Sequence, residues 1–291
     1  ASERGTPMDC LHTTISIGLA APFRALHLSD SHICRADARD GARKMALAQH
    51  RQAEFDAGVP GRSERFLRAQ LAYADENHLP ILYTGDFCDF VSHLNLEYMR
   101  DTLGARDCFM AAGNHEYSLY VGEAFEDEAY KMQSFALVQS FCGNDLRFAS
   151  RVMHGVNFVA LDNVYYDFTA RQLEQLKAEV ARGLPIVLMM HTPLYTQALC
   201  AHAMEELHQP CAYLVGAPEE CLAAYPPDRR VQQQPTRDTL AMIDYIQSQP
   251  QIRAILAGHL HYNYEGPLPC GTMQYVTGGG FQNCAREITF V

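Results

Sequence analysis

Five short segments of the sequence contain side chains that can bind metal ions. In chain order these are Asp30 and His32, Asp86 and Asp89, Asn114 and His115, His191, and finally His259 and His261. Oxygen and imidazole ligands without cysteine suit manganese, iron or zinc. Even seven of these nine side chains would exceed the needs of one tetrahedral ion, but they would suit two ions about 3.5–4 Å apart that share a carboxylate. The residue types therefore favour a site for two metal ions.

Each segment taken alone also has an ordinary structural explanation. Asp30 could belong to a turn, Asp86 and Asn114 could cap helices, and His191 could be a hydrogen-bonded core histidine before a proline. The two-metal interpretation rests on all five segments together, because each of them follows a predicted strand. Ligands bind at the carboxyl ends of strands in α/β folds.

Alternating strands and helices position the five segments. Helices are predicted at 63–77, 93–103, 123–140, 169–183 and 236–248, and the capping box of Thr169 with Gln172 marks the start of the fourth. Further strands are predicted at 14–23, 272–277 and 286–291. The apolar runs before the metal-binding segments are continuous, as in strands buried on both faces. The pattern predicts an α/β layered fold.

We predict one domain over residues 1–291, with a cap or substrate-binding insertion at 192–235. That stretch has 44 residues between His191 and the next helix, too many for a simple connection. It also contains Cys200, Cys211 and Cys221. Their spacing matches no zinc pattern but allows a local disulfide.

Composition narrows the class of partner. The net charge of −11 argues against binding nucleic acid, because that requires a positive face. No apolar run is long enough to span a membrane. The ten cysteines are scattered through the chain, so we expect cytosolic thiols and a cytoplasmic protein, with secretion as the alternative. The oligomeric state has no signal in the sequence.

The five segments resemble the motifs of the calcineurin-like metallophosphoesterases, and most closely those of the bacterial phosphodiesterase and phosphatase branch. The motifs are Asp-x-His at 30–32, Gly-Asp-x-x-Asp at 85–89, Gly-Asn-His-Glu at 113–116, the lone His191 and Gly-His-x-His at 258–261. The resemblance implies a four-layer α/β fold with two facing mixed β-sheets flanked by helices. It also implies one ion held by Asp30, His32 and His261, a second held by Asn114, His191 and His259, and Asp86 as the bridge.

The same resemblance implies that a metal-bridging hydroxide hydrolyses a phosphoester. His115 would protonate the leaving group, with Asp89 accepting from the other ring nitrogen. The alternative for His115 is a role limited to supporting the phosphate. In the related protein phosphatases an arginine follows the second aspartate, but this chain has Phe90 there. A phosphoprotein substrate is therefore disfavoured.

The substrate is expected to be a small-molecule or nucleotide phosphodiester, with a phosphomonoester as the alternative. Candidate substrate-binding residues are Arg35, in the basic stretch at 35–51, and Tyr195 and Arg229, in the stretch at 192–235. A solvated helix face is the alternative for the basic stretch. A non-catalytic scaffold is the alternative from another class, although such proteins usually lose motif histidines and this chain keeps them all.

Overall fold

The computed structural model describes residues 7–291. Its strands, in chain order, are β1 (Asp9–Ile15), β2 (Phe23–Leu28), β3 (Ile81–Tyr83), β4 (Cys108–Met110), β5 (Phe148–Met153), β6 (Val156–Leu161), β7 (Ile186–Met189), β8 (Ile252–Ala257), β9 (Tyr264–Pro267), β10 (Met273–Val276) and β11 (Cys284–Phe290). They form a five-stranded sheet in the order β1-β11-β2-β3-β4 and a six-stranded sheet in the order β5-β6-β7-β8-β10-β9. Both sheets mix parallel and antiparallel pairs.

The helices are α1 (Gly41–Asp56), α2 (Arg62–Glu76), α3 (His93–Gly104), α4 (Glu128–Met132), α5 (Phe135–Gln139), α6 (Ala170–Val180), α7 (Gln197–Ala201), α8 (Glu219–Leu222), α9 (Pro227–Gln233) and α10 (Arg237–Ser248). A π-helix, His202–Glu206, continues α7. Helices α2 and α3 pack on the outer face of the five-stranded sheet, and α6 and α10 cover the outer face of the other.

The two sheets face each other across a shared apolar core. Leu82 and Phe109 of the first sheet belong to the same buried cluster as Val187 and Leu256 of the second. Such a core is the expected result when continuous apolar strands bury both faces. The predicted four-layer α/β fold, with two facing mixed sheets flanked by helices, is confirmed.

Two element predictions were wrong in their bounds. The first strand is Asp9–Ile15 and not 14–23, because it pairs along its whole length with β11 and the chain then turns at Gly18, where φ is +80°. The helix predicted at 123–140 is two short helices, α4 and α5. Between them the backbone N–H groups of Gln133 and Ser134 donate to carbonyls three residues back, so a turn interrupts the helix. The Ser134 hydroxyl also donates to the carbonyl of Tyr117, 17 positions away.

The predicted elements did not include α7, α8 and α9 of the segment at 192–235, and they also lacked α1 and β9. Helix α1 occupies most of the basic stretch at 35–51 and continues to Asp56. Strand β9 pairs antiparallel with β10 at the edge of the second sheet. Its four residues are too few for a clear alternating pattern.

Candidate metal centre

The carboxyl ends of strands from both sheets meet at one place. Asp30 follows β2, Asp86 follows β3 and Asn114 follows β4, all in the first sheet. His191 follows β7 and His259 follows β8, in the second sheet. Asp30, His32, Asp86 and His191 are buried, whereas Asn114, His259 and His261 are partly exposed. The structure therefore brings the seven predicted ligands into a single cluster.

One half of the cluster consists of Asp30, His32 and His261. The Nε2 atoms of the two histidines are 3.0 Å apart, and Asp30 Oδ1 lies 3.3 Å from His261 Nε2. Asp30 Oδ1 is buried and accepts no hydrogen bond. Burial opposes ionisation of Asp30, but the two imidazoles outweigh it and hold the pKa of this carboxyl well below its usual value.

The other half consists of Asp86, His191 and His259. His191 Nε2 lies 3.0 Å from Asp86 Oδ2 and 3.1 Å from His259 Nδ1. Asp86 Oδ2 is also 3.7 Å from His32 Nε2, so Asp86 lies between the two halves. Burial lowers the pKa of His259 to about 3, which keeps the imidazole neutral, as metal binding requires.

These residues fit metal ions by their chemistry. Pairs of imidazole nitrogens about 3 Å apart face each other beside carboxylates. Several lone pairs are therefore close together, and a bound cation would accept them. Asn114 Oδ1 is a further buried acceptor without a hydrogen-bond partner. A buried polar atom without a partner is costly unless a ligand uses it.

The backbone is strained at several of these positions. Residues in the left-handed region are Asp30 (φ +53°), His32 (φ +47°), Asp86 (φ +56°), His259 (φ +70°) and His261 (φ +59°). The left-handed conformation is unfavourable for residues other than glycine, and it persists only where the surrounding structure enforces it. These strained turns direct the side chains at the ends of successive strands into the same cluster.

The motif glycines allow these turns to approach one another. A side chain at Gly85, where φ is +93°, would collide with the backbone of Gly113. A side chain at Gly113 would in turn collide with Asp86, and one at Gly258 with Asp30. Close contact therefore requires glycine at all three positions, and φ requires it in addition at Gly85.

Glu116 connects two of the metal-binding loops. Its buried carboxylate accepts from the backbone N–H groups of Asp86 at 2.7 Å, Cys88 at 3.0 Å and Gly113 at 2.6 Å. Burial raises the pKa of Glu116 to about 7. The sequence motif contained this residue, but nothing in the sequence alone indicated that it fastens the loops after β3 and β4 together.

Asp89 is shared by three cationic or imidazole groups. Its carboxylate accepts from Arg51 Nε at 2.6 Å and Nη2 at 2.9 Å, and it lies 2.9 Å from His32 Nδ1. His115 Nδ1 contacts the backbone carbonyl of Asp89 at 2.8 Å and Oδ1 at 3.1 Å. Asp89 therefore orients both His32 and His115. The ion pair with Arg51 has no sequence signal, because the two residues lie 38 positions apart.

Tyr166 supports His259 from outside the cluster. The Tyr166 hydroxyl is 3.1 Å from His259 Nε2, and the opposite ring nitrogen faces His191. Tyr166 is buried and has φ +68°. A histidine that binds a metal through one nitrogen commonly makes a hydrogen bond with the other, which fixes its tautomer and orientation. Nothing in the sequence predicted this contact.

A cavity of about 370 Å³ adjoins the cluster. His115, Glu126, Tyr213 and Arg229 are among its lining residues, and a smaller cavity of about 220 Å³ adds Gln209. Arg229 Nη1 donates to Gln232 Oε1 at 2.8 Å. The predicted Arg229 therefore lines the cavity beside the cluster. Three residues that the sequence analysis did not single out, Glu126, Gln209 and Tyr213, also line the two cavities.

The other two predicted substrate residues lie elsewhere. Arg35 makes two hydrogen bonds to Glu64, at 2.9 and 2.7 Å, and stacks on Tyr98. The backbone N–H of Tyr195 donates to the carbonyl of Val215, and its ring packs on the core of the second sheet. Neither residue is among the described residues that line the two cavities.

The family model for calcineurin-like phosphoesterases matches residues 23–263, and the chain belongs to this family. Membership supports the assignment of the chain as a metal-dependent phosphoester hydrolase. The match is to the family as a whole, and the bacterial branch stays a prediction. Comparison with curated proteins gave no match. In the described part of the chain, no helix has the length and apolar character needed to cross a membrane.

Three solved structures illustrate the likeness. A dimetal phosphatase from Danio rerio is 13% identical, with a TM-score of 0.47 and coverage of 89% of this chain and 88% of that one. A putative 5'-nucleotidase from Staphylococcus aureus is 12% identical, with a TM-score of 0.46 and coverage of 92% and 51%. This chain thus spans about half of that nucleotidase. The phosphopantetheinyl hydrolase of Mycobacterium tuberculosis is 13% identical, with a TM-score of 0.42 and coverage of 92% and 90%.

Proposed function

We propose that this protein hydrolyses a small-molecule or nucleotide phosphodiester at a centre of two metal ions. The observation that carries the proposal is the position of Asp86, which lies 3.0 Å from His191 in one half of the cluster and 3.7 Å from His32 in the other. A carboxylate between two groups of imidazole ligands suits a bridge between two ions.

The proposed ligands follow the two halves of the cluster. Asp30, His32 and His261 would hold one ion, Asn114, His191 and His259 the other, and Asp86 both. Manganese, iron and zinc all accept this donor set. When bound, such ions activate an attacking water and neutralise charge on the phosphate oxygens.

His115 is the proposed proton donor to the leaving oxygen. It lines both cavities beside the cluster, and Asp89 holds one of its ring nitrogens. Burial disfavours the charged imidazole, but the carboxylates of Asp86 and Asp89 outweigh it and raise the pKa of His115 to about 10. A donor must carry its proton at the working pH. Ions bound to Asp86 would cancel the effect of that carboxylate on His115, so the proposal relies on the contact of Asp89 with Nδ1.

The charges of the cavity favour a diester over a monoester. Arg229 is the one lysine or arginine among the described residues that line the 370 Å³ cavity, and it is accompanied by the carboxylates of Glu126 and Asp228. A phosphodiester carries one negative charge, whereas a monoester carries up to two near neutral pH. Carboxylates near the substrate repel the more highly charged monoester more strongly. We also propose that the segment at 192–235, which supplies Gln209, Tyr213 and Arg229, forms the substrate wall.

The test is a parallel assay of metal-reconstituted protein with bis-p-nitrophenyl phosphate and p-nitrophenyl phosphate. We expect a higher kcat/KM for the diester. A higher kcat/KM for the monoester would make the protein a phosphomonoesterase. If neither ester is hydrolysed in a metal-dependent reaction, the catalytic proposal fails and a scaffold role replaces it.

A further inference from the structure

Two cysteines in the segment at 192–235 lie against each other. Cys200 of α7 and Cys221 of α8 have their Sγ atoms 2.6 Å apart. Bonded sulfurs in a disulfide lie about 2.05 Å apart, so only a small movement separates this pair from a bond. Cys211 is not part of the pair, since it is buried and its sulfur contacts Gln233 Nε2 at 3.3 Å.

The pair is also chemically suited to exchange. Both thiols are partly exposed, so a small reagent can reach them. The hydrogen bond from Cys200 lowers the pKa of the Cys221 thiol to about 7, and the Tyr225 hydroxyl lies 3.3 Å from the same sulfur. By contrast, burial raises the pKa of the fully buried Cys88 well above its usual value. The thiolate is the form that attacks disulfides.

The loop between the two cysteines reaches the metal centre. Gln209 and Tyr213 lie in it, and both line the cavity that contains Asp86 and His261. Gln209 Oε1 is buried without a hydrogen-bond partner. Tyr213 has φ +56°, and His208 in the same loop has φ +55°. Strained positions such as these keep their conformation only when the rest of the loop is held.

We propose that Cys200 and Cys221 form a thiol–disulfide site, and that their bond fixes the wall of the substrate pocket made by Gln209 and Tyr213. The oxidant is a small-molecule disulfide such as oxidised glutathione. The Cys221 thiolate attacks one sulfur of that molecule and releases the first thiolate, which takes up a proton. Cys200 then loses its proton and attacks Cys221 Sγ, and the second small thiol leaves. One small disulfide and two protein thiols thus become one protein disulfide and two small thiols.

The bond itself is independent of the proposed hydrolysis, and only its kinetic effect rests on that proposal. A disulfide that joins residues 21 positions apart reduces the conformational freedom of the loop. Holding a binding side chain in place before the substrate arrives is worth about two- to tenfold in affinity. We therefore expect a lower KM for the oxidised protein with little change in kcat.

The first experiment needs no substrate. The full chain is equilibrated in glutathione buffers of graded redox potential, alkylated, digested and analysed by mass spectrometry. We expect a Cys200–Cys221 linked peptide that appears with increasing potential in wild type and in the Cys270→Ser control, whose thiol is exposed and separate. Cys200→Ser should abolish it. If the linked peptide is absent at every potential, or Cys221 pairs with another cysteine instead, the proposal is overturned.

The second experiment tests the pocket wall. For wild type we expect a KM about threefold lower after oxidation. For Cys200→Ser we expect the same KM in the oxidised and the reduced protein. Chymotrypsin should also cleave after Leu207 or Tyr213 more slowly in oxidised than in reduced wild type, a measurement that requires no activity. Equal KM values together with equal cleavage rates would refute the role of the bond in the pocket wall. If the protein has no turnover at all, the proposed function fails while the linked peptide and the cleavage rates still decide this inference.

Discussion

Replacing Arg51 by methionine should destabilise the protein by removing the counter-charge of a buried carboxylate. Asp89 is fully buried, and the Arg51 side chain is only 19% exposed. Breaking a buried ion pair on one side costs about 3–5 kcal/mol. Asp89 keeps its contacts with His32 and His115 in the variant. We therefore expect a loss at the lower end of this range, about 3 kcal/mol of unfolding free energy.

The matched control for this substitution is Arg43→Met on the same helix, α1. Arg43 pairs with Glu123 at the surface, where the two side chains are 65% and 48% exposed. Such pairs contribute about 0–1 kcal/mol. Urea denaturation of both variants and wild type at pH 7 measures the difference. If Arg51→Met and Arg43→Met lose the same stability within about 0.5 kcal/mol, Arg51 does not compensate Asp89 as we infer.

The effect of Arg51→Met should also depend on pH in a defined direction. Burial raises the pKa of Asp89, but His115, Arg51 and His32 outweigh it and hold this pKa well below its usual value. A carboxyl with a depressed pKa stabilises the fold above its unfolded pKa of about 3.9 and loses this contribution as the pH falls through the folded pKa. The stability gap between wild type and Arg51→Met should therefore be constant from pH 7 to about pH 5 and narrow below about pH 4. A gap that widens on acidification would contradict this assignment.

Three further substitutions test the centre. Tyr166→Phe should weaken metal binding about 10- to 100-fold in a calorimetric titration. Tyr165→Phe should not weaken it, because the Tyr165 hydroxyl makes no hydrogen bond. Equal metal affinities of the two variants would exclude a role for Tyr166 in positioning His259. Gly85→Ala should lower the free energy of unfolding more than Gly18→Ala does. Both glycines have a positive φ, but only at Gly85 would the added methyl group collide with neighbouring backbone. Equal losses in the two variants would mean that the close approach of the two loops is unimportant. His115→Asn should keep its metal content, and its kcat on a diester with a poor leaving group should fall by about 10²- to 10⁴-fold. An unchanged kcat would show that His115 is not the proton donor.

The positions of the metal-binding side chains could be predicted because they depend on a simple property of the fold. Apolar runs such as 186–189 indicate strands buried on both faces, and the residue that follows each run lies at the carboxyl edge of a sheet. His191 and His259 could be expected at the same edge for this reason, although they lie 68 residues apart. The number of layers came from the family resemblance.

Other features could not be predicted, because they depend on contacts between distant parts of the chain. The ion pair of Arg51 with Asp89 forms only when α1 packs beside the loop after β3. Arg35 carries the same charge in the same basic stretch, yet it pairs with Glu64 of α2. Side-chain type alone does not distinguish these two arginines. Packing and counter-charge determine which of them reaches the centre.

The most direct test of the central claim is the metal content of wild type and Asp86→Asn, measured by plasma mass spectrometry after reconstitution and desalting, with diester turnover assayed on the same samples. If Asp86 bridges two ions, wild type should retain two ions per chain and the variant should retain at most one, with kcat lower by about a hundredfold or more. One ion per chain in both proteins, or equal turnover in both, would contradict a two-metal centre bridged by Asp86.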